Sequence, residues 1–127
     1  MNPDWADALR RGDTETLERL LDAGADINAL DRHGQTSLMR AARDGQLNVV
    51  RLLVNRGAAL DHCAKYRLTA LMLAVIGGHS AIVKLLVDAG ADTTLRGSGA
   101  PGFHGRTALE LAAAAGRHDL EELIRPM

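Results

Sequence analysis

Residues 34–58 read GQTSLMRAARDGQLNVVRLLVNRGA, and residues 67–91 read RLTALMLAVIGGHSAIVKLLVDAGA. Laid together at an offset of 33, they place Thr36 on Thr69, Leu38 on Leu71, Ala41 on Ala74, Gly45 on Gly78 and Gly57 on Gly90. Self-similarity at a fixed period of this size is the mark of stacked structural repeats, so it governs how every other residue is read. The frame extends in both directions. Upstream, Ala8 falls on Ala41, Gly12 on Gly45, and Gly24-Ala25 on Gly57-Ala58. Downstream, GRTALELAAAAGRHDLEELI at 105–124 fits at an offset of 38, so five residues have been inserted, within the stretch GSGAPGFHG at 97–105.

One unit can be read from its residues. The Thr36 hydroxyl is placed to satisfy a free amide in the first turn of a helix. The short helix behind it, to about Arg43, carries alanines that let neighbours approach closely. Gly45 supplies the left-handed conformation that ends it. A second helix to about Arg56 is expected to bury Val49, Val50, Leu52, Leu53 and Val54, and Gly57 stops it. The residues from Ala58 to the next unit form an extended loop or hairpin. Neither helix can bury its apolar side alone, whereas stacked copies close a continuous core. The expected fold is therefore an all-α repeat solenoid of helix-turn-helix units with short β-hairpin or loop fingers. It is expected to form one domain over 1–127, with units at about 1–30, 31–63, 64–96 and 97–127 and the finger insertion near 97–104.

Composition supports a folded domain. A hydrophobic share of 46% beside a charged share of 24% argues against disorder, and 127 residues suffice for a core. Aromatics make up only 2%, so that core must come from aliphatic and small side chains. A net charge of -1 argues against wholesale binding to nucleic acid or membrane. Cys63 is the single cysteine, which excludes an internal disulfide. The N-terminal MNPDWADALRRGD has no apolar core of the signal-peptide kind, and no apolar run approaches the roughly 18 residues of a membrane span. A cytoplasmic location is expected. At the ends, Thr16 and Arg19 replace Val49 and Leu52, and Glu121 replaces Val83. Terminal units of a stack need such polar outer faces, so a complete domain is expected. Trp5 aligns with Leu38 and is expected to be a core residue of the first unit; Met39 and Met72 are expected to pack between units.

The pattern T-x-L-x-x-A-x-x-x-G followed by V-V-x-L-L-V-x-x-G-A, at a period of 33, resembles the ankyrin repeat, in four copies over nearly the whole chain. The departures are small. Ser37, Ala70 and Ala108 stand at the family's proline, Met39, Met72 and Glu110 at its histidine, and Arg67 at the hairpin glycine of the third copy. They bear on turn geometry and leave the fold reading intact.

The glycine-rich stretch invites a different reading. Gly97, Gly99 and Gly102 have the G-x-G-x-x-G spacing of a dinucleotide site, and Gly105-Arg106-Thr107 resembles the end of a phosphate loop. Such a site needs a buried strand before it and a helix opening within it. DTTLR is a poor buried strand, and Pro101, Phe103 and Gly105 oppose a helix before Thr107. An elongated finger is the better reading.

Metal and catalytic readings are likewise set aside. His62-Cys63 are adjacent, and no C-x-x-C or H-x-x-x-H pairing is present. His33, Tyr66 and His104 recur at one finger position, but units about 10 Å apart put His33 and His104 roughly 20 Å from each other. His79 is expected to pack and hydrogen-bond at the start of a second helix. Cys63 could face His33 or His62, but nothing nearby suggests an oxyanion site or a pocket. No enzyme activity, cofactor or metal is expected.

What the resemblance implies is a protein-binding module whose partner meets the finger tips and the inner helix face. Carried over, the second copy offers Arg32, His33, Gln35, Arg43 and Asp44. The third offers Lys65, Tyr66, Leu68, Ile76 and Gly77, and the fourth Phe103, His104, Arg106, Ala114 and Ala115. Arg10 and Arg11 come from the first. Asp44 is the one acid in this set, while Asp13, Glu15, Glu18, Asp22, Asp88, Asp119, Glu121 and Glu122 fall elsewhere, mostly on second helices. A basic inner face predicts a protein partner with an acidic surface, with Arg32, Tyr66 and Phe103 as anchors. Self-association through Leu73, Ile76 and Phe103, or binding of a polyanion by the same basic face, are the alternatives. No membrane partner is expected, and the chain itself is expected to be a monomer or a weak homo-oligomer.

Overall fold

A computed structural model of the chain describes residues 1–98 and 104–125. Its helices come in four pairs: α1 (Pro3–Arg11) and α2 (Thr14–Asp22), α3 (Ser37–Asp44) and α4 (Leu47–Asn55), α5 (Ala70–Gly77) and α6 (Ser80–Asp88), α7 (Ala108–Ala114) and α8 (His118–Ile124). A tight turn at Lys65–Arg67 precedes α5. No strand occurs among the described residues, so the fingers are loops, not paired strands. First helices stack on first helices, α3 against α5 and α5 against α7. Second helices form the other layer, α2 against α4, α4 against α6 and α6 against α8.

Each first helix starts where the repeated threonine stands. Thr36, Thr69 and Thr107 accept through Oγ1 from the amides of Met39, Met72 and Glu110, each at 3.2 Å. Thr36 and Thr69 are buried, so losing either hydroxyl would strand an amide away from water, at a cost of about 1 kcal/mol or more. At Thr107 the cap is reciprocal, because Glu110 reaches back to the threonine amide.

One core runs through the stack. Leu9, Leu17, Leu38, Met39, Leu53, Leu71, Met72, Ile82, Leu86 and Leu120 are among its fully buried side chains. Met39 and Met72 pack between units as expected. Trp5 occupies the place of Leu38 in the first unit; it is buried, and its indole Nε1 donates to Ser37 Oγ at 2.7 Å. That hydrogen bond resolves the one polar atom a buried tryptophan brings. Val54, expected inside, is only half-buried, because it lies at the edge of the α4 stripe.

A second set of contacts ties each unit to the one before it. The residue that opens a second helix leans over the glycine ending the first helix of the preceding unit. A Cβ built on Gly45 would lie 2.7 Å from His79 Cε1, one on Gly78 would lie 2.6 Å from Arg117 Nη1, and one on Gly12 would lie 3.4 Å from Gln46 Oε1. His79 Nε2 also lies 3.0 Å from the Arg43 carbonyl oxygen, which can only accept, so Nε2 carries the proton. The expected packing and hydrogen-bonding role of His79 is this contact. The loops are linked in the same sense: Asn28 Oδ1 accepts from the Ala59 amide and Asp61 Oδ1 from the Asp92 amide.

Candidate interaction surface

The surface is built from the fingers and from the side of the first helices that faces them. In the second unit the two meet. Asp31, Arg32, His33, Gln35, Arg40 and Arg43 line one hollow of about 330 Å³. The finger is closed by the Asp31 amide donating to the Gln35 carbonyl at 2.9 Å. The Asp31 carboxylate then accepts from the amides of His33 at 2.8 Å and Gln35 at 3.0 Å. Arg40 approaches the same carboxylate at 4.0 Å, and Arg43 reaches Asp44 at 3.2 Å and Gln35 Oε1 at 3.4 Å. Partial burial pushes the Asp31 carboxyl up, but the Gln35 and His33 amides, with Arg40 and His33 charge behind them, hold it below the usual aspartate value.

The third finger solves the same turn differently. Ala64 stands at the Asp31 position and Arg67 at the Gly34 position. The closing bond survives, from the Ala64 amide to the Leu68 carbonyl at 3.1 Å. Tyr66 and Arg67 both take positive φ, 62° and 57°, where Gly34 has 74°. Two consecutive left-handed residues make the tight turn that usually calls for Asn-Gly. Lys65 and Tyr66 are exposed at its tip, with the ammonium 5.0 Å from the ring centroid.

The fourth finger starts from Gly97, whose amide donates to the Arg106 carbonyl at 2.9 Å, while the Gly105 amide donates to the Gly97 carbonyl at 2.8 Å. The Ser98 amide donates to the Tyr66 carbonyl, joining this finger to the third. These bonds occupy the Gly97 and Gly105 amides that a bound phosphate would need, and the Thr107 hydroxyl is taken by the helix cap. Gly99, Ala100, Pro101, Gly102 and Phe103 lie outside the described residues, and so does the anchor role expected of Phe103.

The structure therefore brings Arg32, His33, Gln35 and Arg43 together, and sets Lys65 and Tyr66 beside the fourth finger. His104 is exposed and Arg106 half-buried. Leu68 is a correction. It is buried at 9% exposure, because its side chain closes the base of the third finger against the core, and so it offers a partner nothing. Asp31, Arg40 and Asp7 were missed. Arg40 was legible, since it stands one helical turn before Arg43 and shares its face; the carboxylates were not. Asp7 pairs with Arg10 at 2.6 Å and Arg11 at 2.9 Å, so this surface carries more acid than Asp44 alone. On the opposite layer several acids are paired too: Asp22 with Arg56, Asp88 with Lys84 and Asp119 with Arg117.

Along the inner face the register sets Asp7, Arg10 and Arg11 on α1 beside Arg40, Arg43 and Asp44 on α3, then Leu73, Ile76 and Gly77 on α5, then Leu111, Ala114 and Ala115 on α7. At these register positions the first two units present charge and the last two present none; the exposed Glu110 on α7 is paired with Arg96 at 3.0 Å. The whole of α5, ALMLAVIG, has no polar side chain. Residues 70–75 are buried between the neighbouring helices, whereas Ile76 is 46% exposed.

His62 and Cys63 are engaged locally. His62 Nε2 lies 3.1 Å from the Gly34 carbonyl oxygen, and Cys63 Sγ points at the Asp61 carbonyl at 3.6 Å. Among the described residues no helix is long and apolar enough to cross a membrane. No curated protein matches the chain. A family model described as ankyrin repeats in three copies matches residues 5–97, which holds the first three helix pairs. Ankyrin repeats as a class are protein-interaction modules and typically non-catalytic. With its repeat period, its helix pairs and this match over most of its length, the chain belongs to the ankyrin-repeat family.

Proposed function

We propose that the chain is a non-catalytic adaptor that binds a protein with an acidic surface, using its fingers and the inner face of its first helices. One observation carries this reading: three arginines, Arg32, Arg40 and Arg43, line a single hollow around one carboxylate, Asp31. Backbone amides already engage that carboxylate, so it answers the guanidinium groups only in part. Arg43 is tied to Asp44, but both side chains are close to half exposed, and surface pairs of this kind contribute little and exchange readily. A partner carboxylate held by two guanidinium forks would gain more than either loses. Lys65 and Tyr66 extend the surface, and Arg106 lies at the base of the next finger.

The test compares the wild-type chain with a variant carrying Arg32→Glu, Lys65→Glu and Arg106→Glu in capture from nuclease-treated lysate, followed by affinity measurement on the purified partner. The variant should bind at least tenfold more weakly while keeping its thermal midpoint. Equal affinity would remove the basic face from the reading. Binding that falls steeply with salt, whatever nucleic-acid sequence is offered, would favour a polyanion ligand. Mass that rises with concentration would favour self-association.

A further inference from the structure

The inner face changes character between α3 and α5, and that boundary constrains what it accepts. On one side Arg10 and Arg43 present charge; on the other, at the same register, stand Ile76 and Ala114. Ile76 is nearly half exposed, and Ala114 and Ala115 are exposed beside it. An isoleucine left half in water, at a position that two other units give to arginine, has packing to gain from a partner. The charged half is equally prepared. Its Arg10–Asp7 and Arg43–Asp44 pairs are exposed on both partners, so an incoming carboxylate displaces weak bonds.

Resting on the reading that this face is the binding surface, we infer that its occupant is one polypeptide segment with two chemistries: carboxylates that meet Arg10 and Arg43, and aliphatic side chains that meet Ile76 and Ala114. The separation follows from the fold. Adjacent first helices lie about 10 Å apart, so the middle of the charged half is about 20 Å from the middle of the apolar half. An extended segment at roughly 3.3 Å per residue covers that in about six residues. A polyanion has no use for the apolar half. A second copy of the chain fits poorly, since face-to-face pairing sets arginines against arginines or against the apolar half.

The experiment is selection of a displayed library of random peptides on the intact chain, with Arg43→Glu, Arg43→Gln and Ile76→Ser as separate variants. Circular dichroism and thermal midpoints verify that each variant is folded. Selected peptides should carry acids and aliphatic residues segregated by about six positions. Their affinity should fall about tenfold with either substitution at Arg43 and about tenfold with Ile76→Ser, and only the first loss should shrink in high salt. Acid-rich peptides without aliphatic preference, unaffected by Ile76→Ser, overturn the two-part face and leave the acidic partner standing. No enrichment, or enrichment indifferent to every variant, overturns both. Preference for heparin over all peptides, or concentration-dependent mass abolished by Ile76→Ser, assigns the face to a polyanion or a second copy and overturns the inference.

Discussion

The second and third fingers occupy the same place in successive repeats and close with the same backbone hydrogen bond, yet they are held by different means. In the second, Asp31 accepts from two amides of its own turn, and Gly34 takes the left-handed conformation at little cost. In the third, Ala64 offers no acceptor, and Tyr66 and Arg67 adopt that conformation with full side chains. Backbone strain of this kind costs on the order of 1 kcal/mol or more per residue and persists only where the surroundings impose it. Here the surroundings are the buried Leu68 on one side and the Ser98 amide, bonded to the Tyr66 carbonyl, on the other. A finger can thus be fixed from within by its own side chain, or from outside by its neighbours. The third displays Lys65 and Tyr66 from the externally fixed kind.

The comparison breaks most visibly at Asp31. Asp31→Ala leaves two amides without their acceptor and Arg40 without its nearby carboxylate, and should destabilise the chain by about 2 kcal/mol in urea unfolding. A loss below about 0.5 kcal/mol would mean that the carboxylate does not hold the finger. Exchanging the turn residues sharpens the contrast. Gly34→Arg imports the strain and should cost about 1 kcal/mol, whereas Arg67→Gly releases it and should raise stability by roughly 0.5–1 kcal/mol, less than the strain itself because glycine also loosens the unfolded chain. No rise in thermal midpoint for Arg67→Gly would show that the third turn is unstrained. The smallest effect is in acid. Because the folded Asp31 carboxyl titrates below its ordinary value of 3.8, its contribution is complete above that value and fades as pH falls through the folded one. The stability gap between wild type and Asp31→Ala should therefore narrow as pH falls from 5 to 3, while the gap for Arg67→Gly stays constant.

Much of this architecture was legible in residue spacing. The threonine caps, the alternation of first and second helices and the placing of Trp5 at a leucine's position all depend on local chemistry repeated at a fixed interval, which an alignment carries directly. What it could not carry is which side of a finger faces inward. Leu68 and Lys65 sit three residues apart in one short loop; one is buried and the other exposed, because packing against the core decides. The same limit explains Asp31 and Asp7. Whether a carboxylate offsets nearby arginines depends on which amides and guanidinium groups the fold delivers to it, and charge counted along the chain is blind to that. Arg67 marked an altered turn at the sequence level, but the left-handed Tyr66 beside it had no local signal.

The contact of Gln46, His79 and Arg117 with the glycines of the preceding units bears on how such a chain can grow. Each of the two middle units contributes a bare backbone surface at its glycine and, at the very next residue, a side chain that covers the equivalent surface of its predecessor. An amide, an imidazole and a guanidinium all serve, because what they meet is backbone, not a matched side chain. A duplicated unit therefore arrives already complementary to its own copy. Tandem duplication can lengthen the array without inventing a new interface, and recombination between units stays tolerable so long as the glycine is kept.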